Sequence, residues 1–167
     1  RTIVNQVAAL KSMVDDFRDY SRLPAPVFAG LDLNALVLEV LALYETSSAP
    51  IARKLAPALR QVRADHAQIR QVLHNLVQNA QDALENRKNA AEVPMIEVNT
   101  GMAAGKVRLS VADNGGGFPE DMMVRIFEPY VTTKPRGTGL GLAIVKKIVD
   151  EHHGELTIEN RVAKGVS

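Results

Sequence analysis

A strand that ends in a carboxylate, and a glycine ladder that opens a helix, constrain this chain more than any other feature. Val107-Arg-Leu-Ser-Val-Ala alternates apolar and polar residues and predicts a strand, which runs directly into Asp113-Asn-Gly-Gly-Gly-Phe. Gly137-Thr-Gly-Leu-Gly-Leu leads into an apolar-periodic segment, Leu140 to His152, that predicts a helix. Glycine lets the backbone approach a bound group closely and adopt conformations closed to other residues. A helix N-terminus offers free N–H groups and a field that favours anions. The pair reads as a nucleotide site, one end holding a base and the other holding phosphates.

The length of 167 residues suits one medium domain plus an appendage. A hydrophobic content of 46% can fill a core, which excludes a disordered chain. The formal net charge of +1 makes no case for a nucleic-acid partner. With no cysteine, disulfides, thiolate catalysis and cysteine zinc sites are excluded. No apolar run reaches membrane-spanning length and no signal peptide heads the chain, so it reads as cytoplasmic. Both ends read as cuts from a longer protein.

Residues 1–23 place Ile3, Val7, Leu10, Val14, Phe17 and Ser21 at alternating steps of four and three. Such a heptad stripe expects a partner helix, although an amphipathic helix packed on its own domain would also carry it. Leu23-Pro-Ala-Pro-Val reads as a linker. Leu31-Asp-Leu-Asn is a brief extended piece, and Asn34 is expected to cap a helix from Ala35 to Tyr44 or Glu45, ended by Ser47, Ser48 and Pro50. Short strands are expected at Ile51 to Leu55 and Gln61 to Arg63. Asp65 caps a long helix from His66 to about Asn86, with Ile69, Val72, Leu73, Leu76, Val77, Ala80 and Leu84 on its buried face. Asn86 to Pro94 is a polar loop. Met95 to Thr100 and Lys106 to Ala112 predict a hairpin turning over Gly101 to Gly105. Gly115 to Thr138 is long and irregular apart from a turn or two of helix near Glu120 to Ile126, as in a functional lid. Gly154 stops the last helix. A strand follows at Leu156 to Glu159, and another is expected after Gly165.

Asn75 and Asn79 share one face of the long helix, and Asp82 and Asn86 continue that polar stripe. An ordinary solvated face would explain it, but two asparagines in a strongly apolar helix need a reason. An amide oxygen suits Mg²⁺, which completes its shell with phosphates and water, so Asn79 is the candidate metal ligand. Asp113 can accept from the adenine amino group, where guanine presents a carbonyl, although Asp-Asn-Gly is also a common turn. Phe127 and Tyr130 either anchor the lid by their rings or simply pack in the core. Lys134 can pair with a γ-phosphate or remain solvated.

In order, the chain carries Asn75-Leu-Val-Gln-Asn79-Ala, Asp113-Asn-Gly-Gly-Gly117, Phe127-Glu-Pro-Tyr and Gly137-Thr-Gly-Leu-Gly141-Leu. This order resembles the N, G1, F and G2 boxes of the ATP-binding catalytic domain of sensor histidine kinases, from about Leu31 onward. The run Thr-Thr-Lys-Pro-Arg-Gly-Thr-Gly-Leu-Gly-Leu, with Leu23-Pro-Ala-Pro upstream, looks most like the NtrY-type nitrogen-regulation branch. The resemblance implies an α+β fold of the Bergerat type: a two-layer sandwich of a mixed sheet covered by three helices. It implies residues 1–23 as the second helix of a dimerisation and phosphoacceptor hairpin, 24–30 as linker, and 31–167 as the catalytic domain with its last strand cut short. It implies that Asn79 holds Mg²⁺, Asn75 positions phosphates, and Asp113 reads adenine with Gly115 and Gly117 shaping the pocket. Gly137, Thr138, Gly139, Leu140 and Gly141 would hold the phosphates of ATP, with Lys134 beside them. The implied partners are a phosphoacceptor histidine helix and a response-regulator receiver domain, in a homodimer anchored in the bacterial inner membrane.

Departures from the pattern are informative. None of His66, His74, His152 or His153 has a His-Glu/Asp-x-x-x-Pro context, so the acceptor histidine is expected upstream of Arg1. Gly116 stands where proline is frequent, and His153 where a second glycine is usual. Phosphoryl transfer to histidine is the leading reading. An ATP-hydrolysing clamp of the gyrase and Hsp90 kind would need a glutamate where this chain has Asn75, a poor base. A non-enzymatic dimer adaptor is the third reading, and the intact Asp113, Asn79 and glycines weigh against it.

Overall fold

The computed structural model describes residues 2–47, 49–87, 92–134 and 137–161. In chain order these form α1 (Thr2–Ser21), β1 (Ala29–Leu31), α2 (Leu33–Ala42), β2 (Ile51–Lys54), β3 (Val62–Ala64), α3 (His66–Glu85), β4 (Ile96–Ala103), β5 (Lys106–Asp113), α4 (Glu120–Met123) and α5 (Gly141–Glu151). The chain divides into two units. One joins Arg1–Pro26 with Pro119–Leu156, and the other joins Val27–Phe118 with Thr157–Ser167.

In the second unit, β4 is the central strand of a mixed sheet ordered β2-β4-β5. β2 runs parallel to it and β5 antiparallel. β1 and β3 pair antiparallel in a separate two-stranded ribbon. Along β4, Ile96, Val98 and Thr100 are buried while Glu97 and Asn99 are only half-covered, as a strand with one packed face requires. The packed face meets Leu73, Val77, Ala80 and Leu84 of α3 and Leu36, Val37 and Val40 of α2 in one apolar cluster. Each fully buried aliphatic chain there contributes roughly 1.5–3 kcal/mol by leaving water.

Local chemistry sets the element ends. Asp65 Oδ1 accepts from the Gln68 N–H at 3.0 Å, capping α3 as expected, and its Oδ2 holds the Val27 N–H at 2.8 Å. α2 corrects the sequence reading. Its cap is Asp32, in extended backbone, whose carboxylate accepts from the Ala35 N–H at 3.0 Å, and the helix ends at Ala42. Asn34 is committed elsewhere: its amide donates to Ala56 O at 2.9 Å and accepts from the Thr100 hydroxyl at 2.6 Å. Two residues able to cap lay within one turn, and the tertiary network claimed one of them. On α3, Leu76 is half-buried rather than buried, and Ile69 packs at the cluster margin.

The hairpin is tighter than expected. β4 and β5 pair from Ile96↔Asp113 to Ala103↔Lys106, leaving a two-residue loop. Both loop residues, Ala104 and Gly105, have positive φ (49° and 76°), which matches the right-handed twist of the strands. Leu156 to Glu159 forms no ladder among the described residues, which corrects the expected strand. A strand exists only through its neighbour, and the one expected after Gly165 lies outside the described residues. Ser48, expected to help end α2, also lies outside them.

In the first unit, α1 has no fully buried residue. Its heptad stripe is open: Ile3 is 75% exposed, Val7 60%, Val14 64% and Phe17 52%. The side turned to its own unit is another one. Asp16 meets Thr138, and the Lys147 ammonium donates to the Tyr20 carbonyl at 3.1 Å while lying 5.5 Å from the Tyr20 ring centroid. At about 100° per residue, that face lies roughly 120° around the helix from the stripe. The stripe therefore does not seat α1 on its own unit.

α5 ends in a Schellman motif. The Gly154 N–H reaches Val149 O at 2.9 Å, and the His153 N–H reaches Asp150 O at 3.0 Å. The left-handed position belongs to His153 (φ 54°), one residue before the glycine named from sequence. His153→Gly is therefore expected to stabilise the chain by about 0.5–1 kcal/mol, relieving left-handed strain but freeing the unfolded backbone. A denaturant midpoint measures it. An unchanged or lowered midpoint would mean that the exposed imidazole contributes as much as the strain costs.

Candidate functional site

Asp113 is the last residue of β5 and pairs with Ile96. It therefore lies on the sheet face that carries Ile96, Val98 and Thr100, the face covered by α3. Its Oδ1 accepts from the Gly115 N–H at 2.8 Å. Asn114 fastens the neighbouring loop, donating to Val93 O at 2.8 Å and accepting from the Met95 N–H at 2.9 Å. A Cβ at Gly115 would sit 2.8 Å from both Ala83 Cβ and Ala83 O, so only glycine lets this turn lie against α3. Ala83 is one turn beyond Asn79. Asn75, Asn79 and Asp82 are half-buried on α3, and Asp82 accepts from the Gln78 amide at 3.1 Å. Asn86 is exposed and turns its amide back to Asp82 O.

Asn160, absent from the sequence reading, brackets the end of the glycine turn. Its Oδ1 accepts from the Phe118 N–H at 2.8 Å and its amide donates to Phe118 O at 2.7 Å. The same oxygen would meet a Cβ at Gly117 at 2.7 Å. Only its distance in sequence hid it.

The first unit holds the other candidates. The Tyr130 N–H donates to Gly139 O at 3.0 Å, so the aromatic motif and the glycine ladder are joined by backbone. Gly139 (φ 72°) has Tyr130 and Val131 backbone atoms where a Cβ would go, at 2.6–2.7 Å. Tyr130 is 61% exposed and itself has φ 65°, so neither ring anchoring nor core packing describes it. Ile126 is the buried side chain here, and Phe127 is half-buried. Lys134 is half-buried, its N–H donating to the Thr132 hydroxyl at 3.0 Å and its carbonyl accepting from the Gly137 N–H at 3.2 Å. The Thr138 hydroxyl accepts from the Leu140 N–H at 3.4 Å. Leu140 is fully buried, so it offers a ligand backbone only, and a Cβ added at Gly141, where α5 opens, would meet nothing within 4 Å.

The histidines have structural surroundings. His66 lies 3.5 Å from Glu39, His74 Nδ1 meets the Tyr44 hydroxyl at 2.5 Å, and His152 Nδ1 meets Ile148 O at 2.8 Å. Burial raises the Tyr44 phenol pKa. Glu97, on the sheet face away from α3, is held below the usual carboxylate range by the Asn99 amide and by Lys54. Neither group belongs to the predicted set. Among the described residues, no group of three or more His, Cys, Asp or Glu is placed to hold a metal ion. The amide oxygen of Asn79 is a hard donor of the type that suits Mg²⁺.

A mixed sheet backed by helices defines the second unit as α+β, with the Asp113 carboxylate at a strand end, and the first unit sets the left-handed Gly139 just before α5. Residues 64–167 match the family described as histidine kinase-, DNA gyrase B- and HSP90-like ATPase. The chain belongs to that family. An NtrY-like protein of Rickettsia bellii is 36% identical over 167 residues, covering 99% of this chain and 27% of that protein. The nitrogen regulation protein NtrY of Azorhizobium caulinodans is 33% identical over 162 residues, covering 95% of this chain and 21% of its own length. The chain thus spans about a quarter of the curated relatives it matches. The catalytic domain of histidine kinase ThkA superposes with a TM-score of 0.70 at 38% identity, covering 81% of this chain and 89% of that one. ThkA in complex with the response regulator TrrA gives 0.72 at 32% identity, covering 92% of this chain and 43% of that one. The α+β class and the sensor-kinase resemblance read from the motifs are borne out.

Proposed function

We propose that this chain is the ATP-binding catalytic part of a sensor histidine kinase, which transfers the γ-phosphoryl group of ATP to a histidine upstream of Arg1. The observation that carries the reading is Asp113, delivered by β5 to the α3-covered face and tied to Gly115 against the turn after Asn79. In this reading Asp113 accepts from the adenine amino group, and Gly115 and Gly117 shape the base pocket. Asn79 lends an amide oxygen to Mg²⁺ and Asn75 positions phosphates. Gly137, Thr138, Gly139, Leu140 and Gly141 hold the phosphates, and Lys134 pairs with the γ-phosphate. The bound cation would neutralise phosphate charge. The chain's own work is positioning and charge stabilisation, as phosphoryl transfer through a loose transition state demands. An imidazole acceptor needs no strong base, and Asn75 supplies none, which favours transfer over hydrolysis.

Residues 1–23 are read as the second helix of a dimerisation hairpin, 24–30 as a linker and 31–167 as the catalytic domain. The open Ile3 to Phe17 stripe of α1 supports this, because it awaits an apolar mate. The whole protein is read as a membrane-anchored homodimer that passes phosphate to a receiver domain, and the ThkA–TrrA complex supports that partner class. No described helix is long and apolar enough to cross a membrane. Titrating ATP with and without Mg²⁺ tests the site. Asn79→Ala is expected to abolish the gain in affinity that Mg²⁺ gives, while adenosine still binds. A full Mg²⁺ effect in Asn79→Ala would remove Asn79 from the metal.

A further inference from the structure

The glycine ladder makes one contact that no sequence motif predicts. The Thr138 hydroxyl donates to Asp16 Oδ2 at 2.7 Å, joining residues 122 positions apart. The same hydroxyl oxygen accepts from the Leu140 N–H. Asp16 of α1 therefore stands one hydroxyl away from the start of α5, whose N-cap residue supplies no side-chain cap. A helix N-terminus favours a negative charge, and here α1 brings one. A second tie lies four residues on, where Lys147 of α5 holds the Tyr20 carbonyl, one of the last carbonyls α1 cannot satisfy itself. Residues four apart share a helix face, so one side of α1 makes both ties.

We propose that Asp16 is a latch that opposes phosphate binding: its carboxylate and the ATP phosphates compete for the Thr138 end of α5. The inference rests on the reading that Gly137 to Gly141 hold the phosphates. Two anions at one helix end repel, and both seek the Thr138 hydroxyl. With α1 docked, the loop carries the carboxylate. With ATP bound, Asp16 is displaced and α1 is released from α5. Coupling of this kind is reciprocal, so α1 docking weakens ATP as much as ATP weakens docking. The latch turns the position of a signalling helix into nucleotide affinity.

The test compares ATP, ADP and adenosine affinities of the unmodified chain, Asp16→Asn and Asp15→Asn. Asp16→Asn keeps an acceptor for Thr138 but removes the charge. It is expected to tighten ATP roughly fivefold or more, ADP less, and adenosine not at all. Asp15→Asn removes the same charge next door, where Asp15 pairs with Arg18, and is expected to leave all three unchanged. Amide hydrogen exchange in residues 16–21 is expected to quicken on adding ATP and not on adding adenosine. An unchanged ATP affinity in Asp16→Asn, an equal gain for adenosine, or an equal gain in Asp15→Asn would overturn the latch. If the unmodified chain binds ATP no better than Asp113→Ala, the nucleotide reading itself falls. If it binds through Asp113 and Asp16→Asn matches it, the latch alone falls.

Discussion

Asp113→Ala is expected to weaken ATP and ADP together by roughly ten- to a hundredfold. A hydrogen bond to a charged acceptor is worth about 1.5–3 kcal/mol, and each 1.4 kcal/mol is a factor of ten in affinity. The loss has two sources. Adenine loses its acceptor, and the Gly115 N–H, now 2.8 Å from Oδ1, loses the bond that sets the turn. Asp113→Asn separates them, because an amide oxygen can still accept from Gly115. That variant is expected to keep the turn yet lose preference for adenine, since an amide can turn its NH₂ toward the guanine carbonyl. Calorimetric titration with ATP and GTP reads both effects. Equal ATP affinity in Asp113→Ala and the parent would dismiss Asp113 as the base reader.

The second large effect is expected at Gly139. A methyl group there would lie 2.6 Å from the Tyr130 carbonyl carbon and 2.7 Å from Val131 N, and these backbone atoms cannot swing aside. The left-handed backbone adds about 1–2 kcal/mol for any other residue, and the overpacking about 1–3 kcal/mol. Gly139→Ala should therefore lower unfolding stability by about 2–5 kcal/mol and remove most ATP binding, because the Tyr130–Gly139 backbone bond sets the loop. Gly141→Ala is the control, since nothing lies within 4 Å of its added Cβ. Alanine is the better helix former, so that change should leave stability level or slightly improved. Indistinguishable denaturation curves for the two variants would contradict the steric account.

What was legible in the sequence follows from the range of the forces involved. α3 and its Asp65 cap were readable because periodicity and capping are local. So were the β4–β5 hairpin and the start of α5. Asn34 was misread because Thr100 and Ala56, far along the chain, decide what its amide does. Tyr130 was misread because its ring suggested burial, while its role lies in its backbone N–H. Asp16 and Asn160 left no local signal, since each acts on a turn that the chain reaches only after folding. The glycines split along the same line. Composition marked all of them, but only geometry separates Gly139, where an added Cβ would meet backbone, from Gly141, where it would meet nothing within 4 Å.

The Ala104-Gly105 tip reaches further than its size suggests. Side chains along a strand point alternately up and down, so the two-residue tip fixes the parity of everything downstream on β5. With the two-residue tip kept, one extra residue in β5 between the tip and Asp113 would slip the pairing by a single position and send the Asp113 carboxylate to the side of Glu97 and Asn99. The orientation of the proposed base reader is thus settled at the far end of the hairpin, eight residues before Asp113 itself.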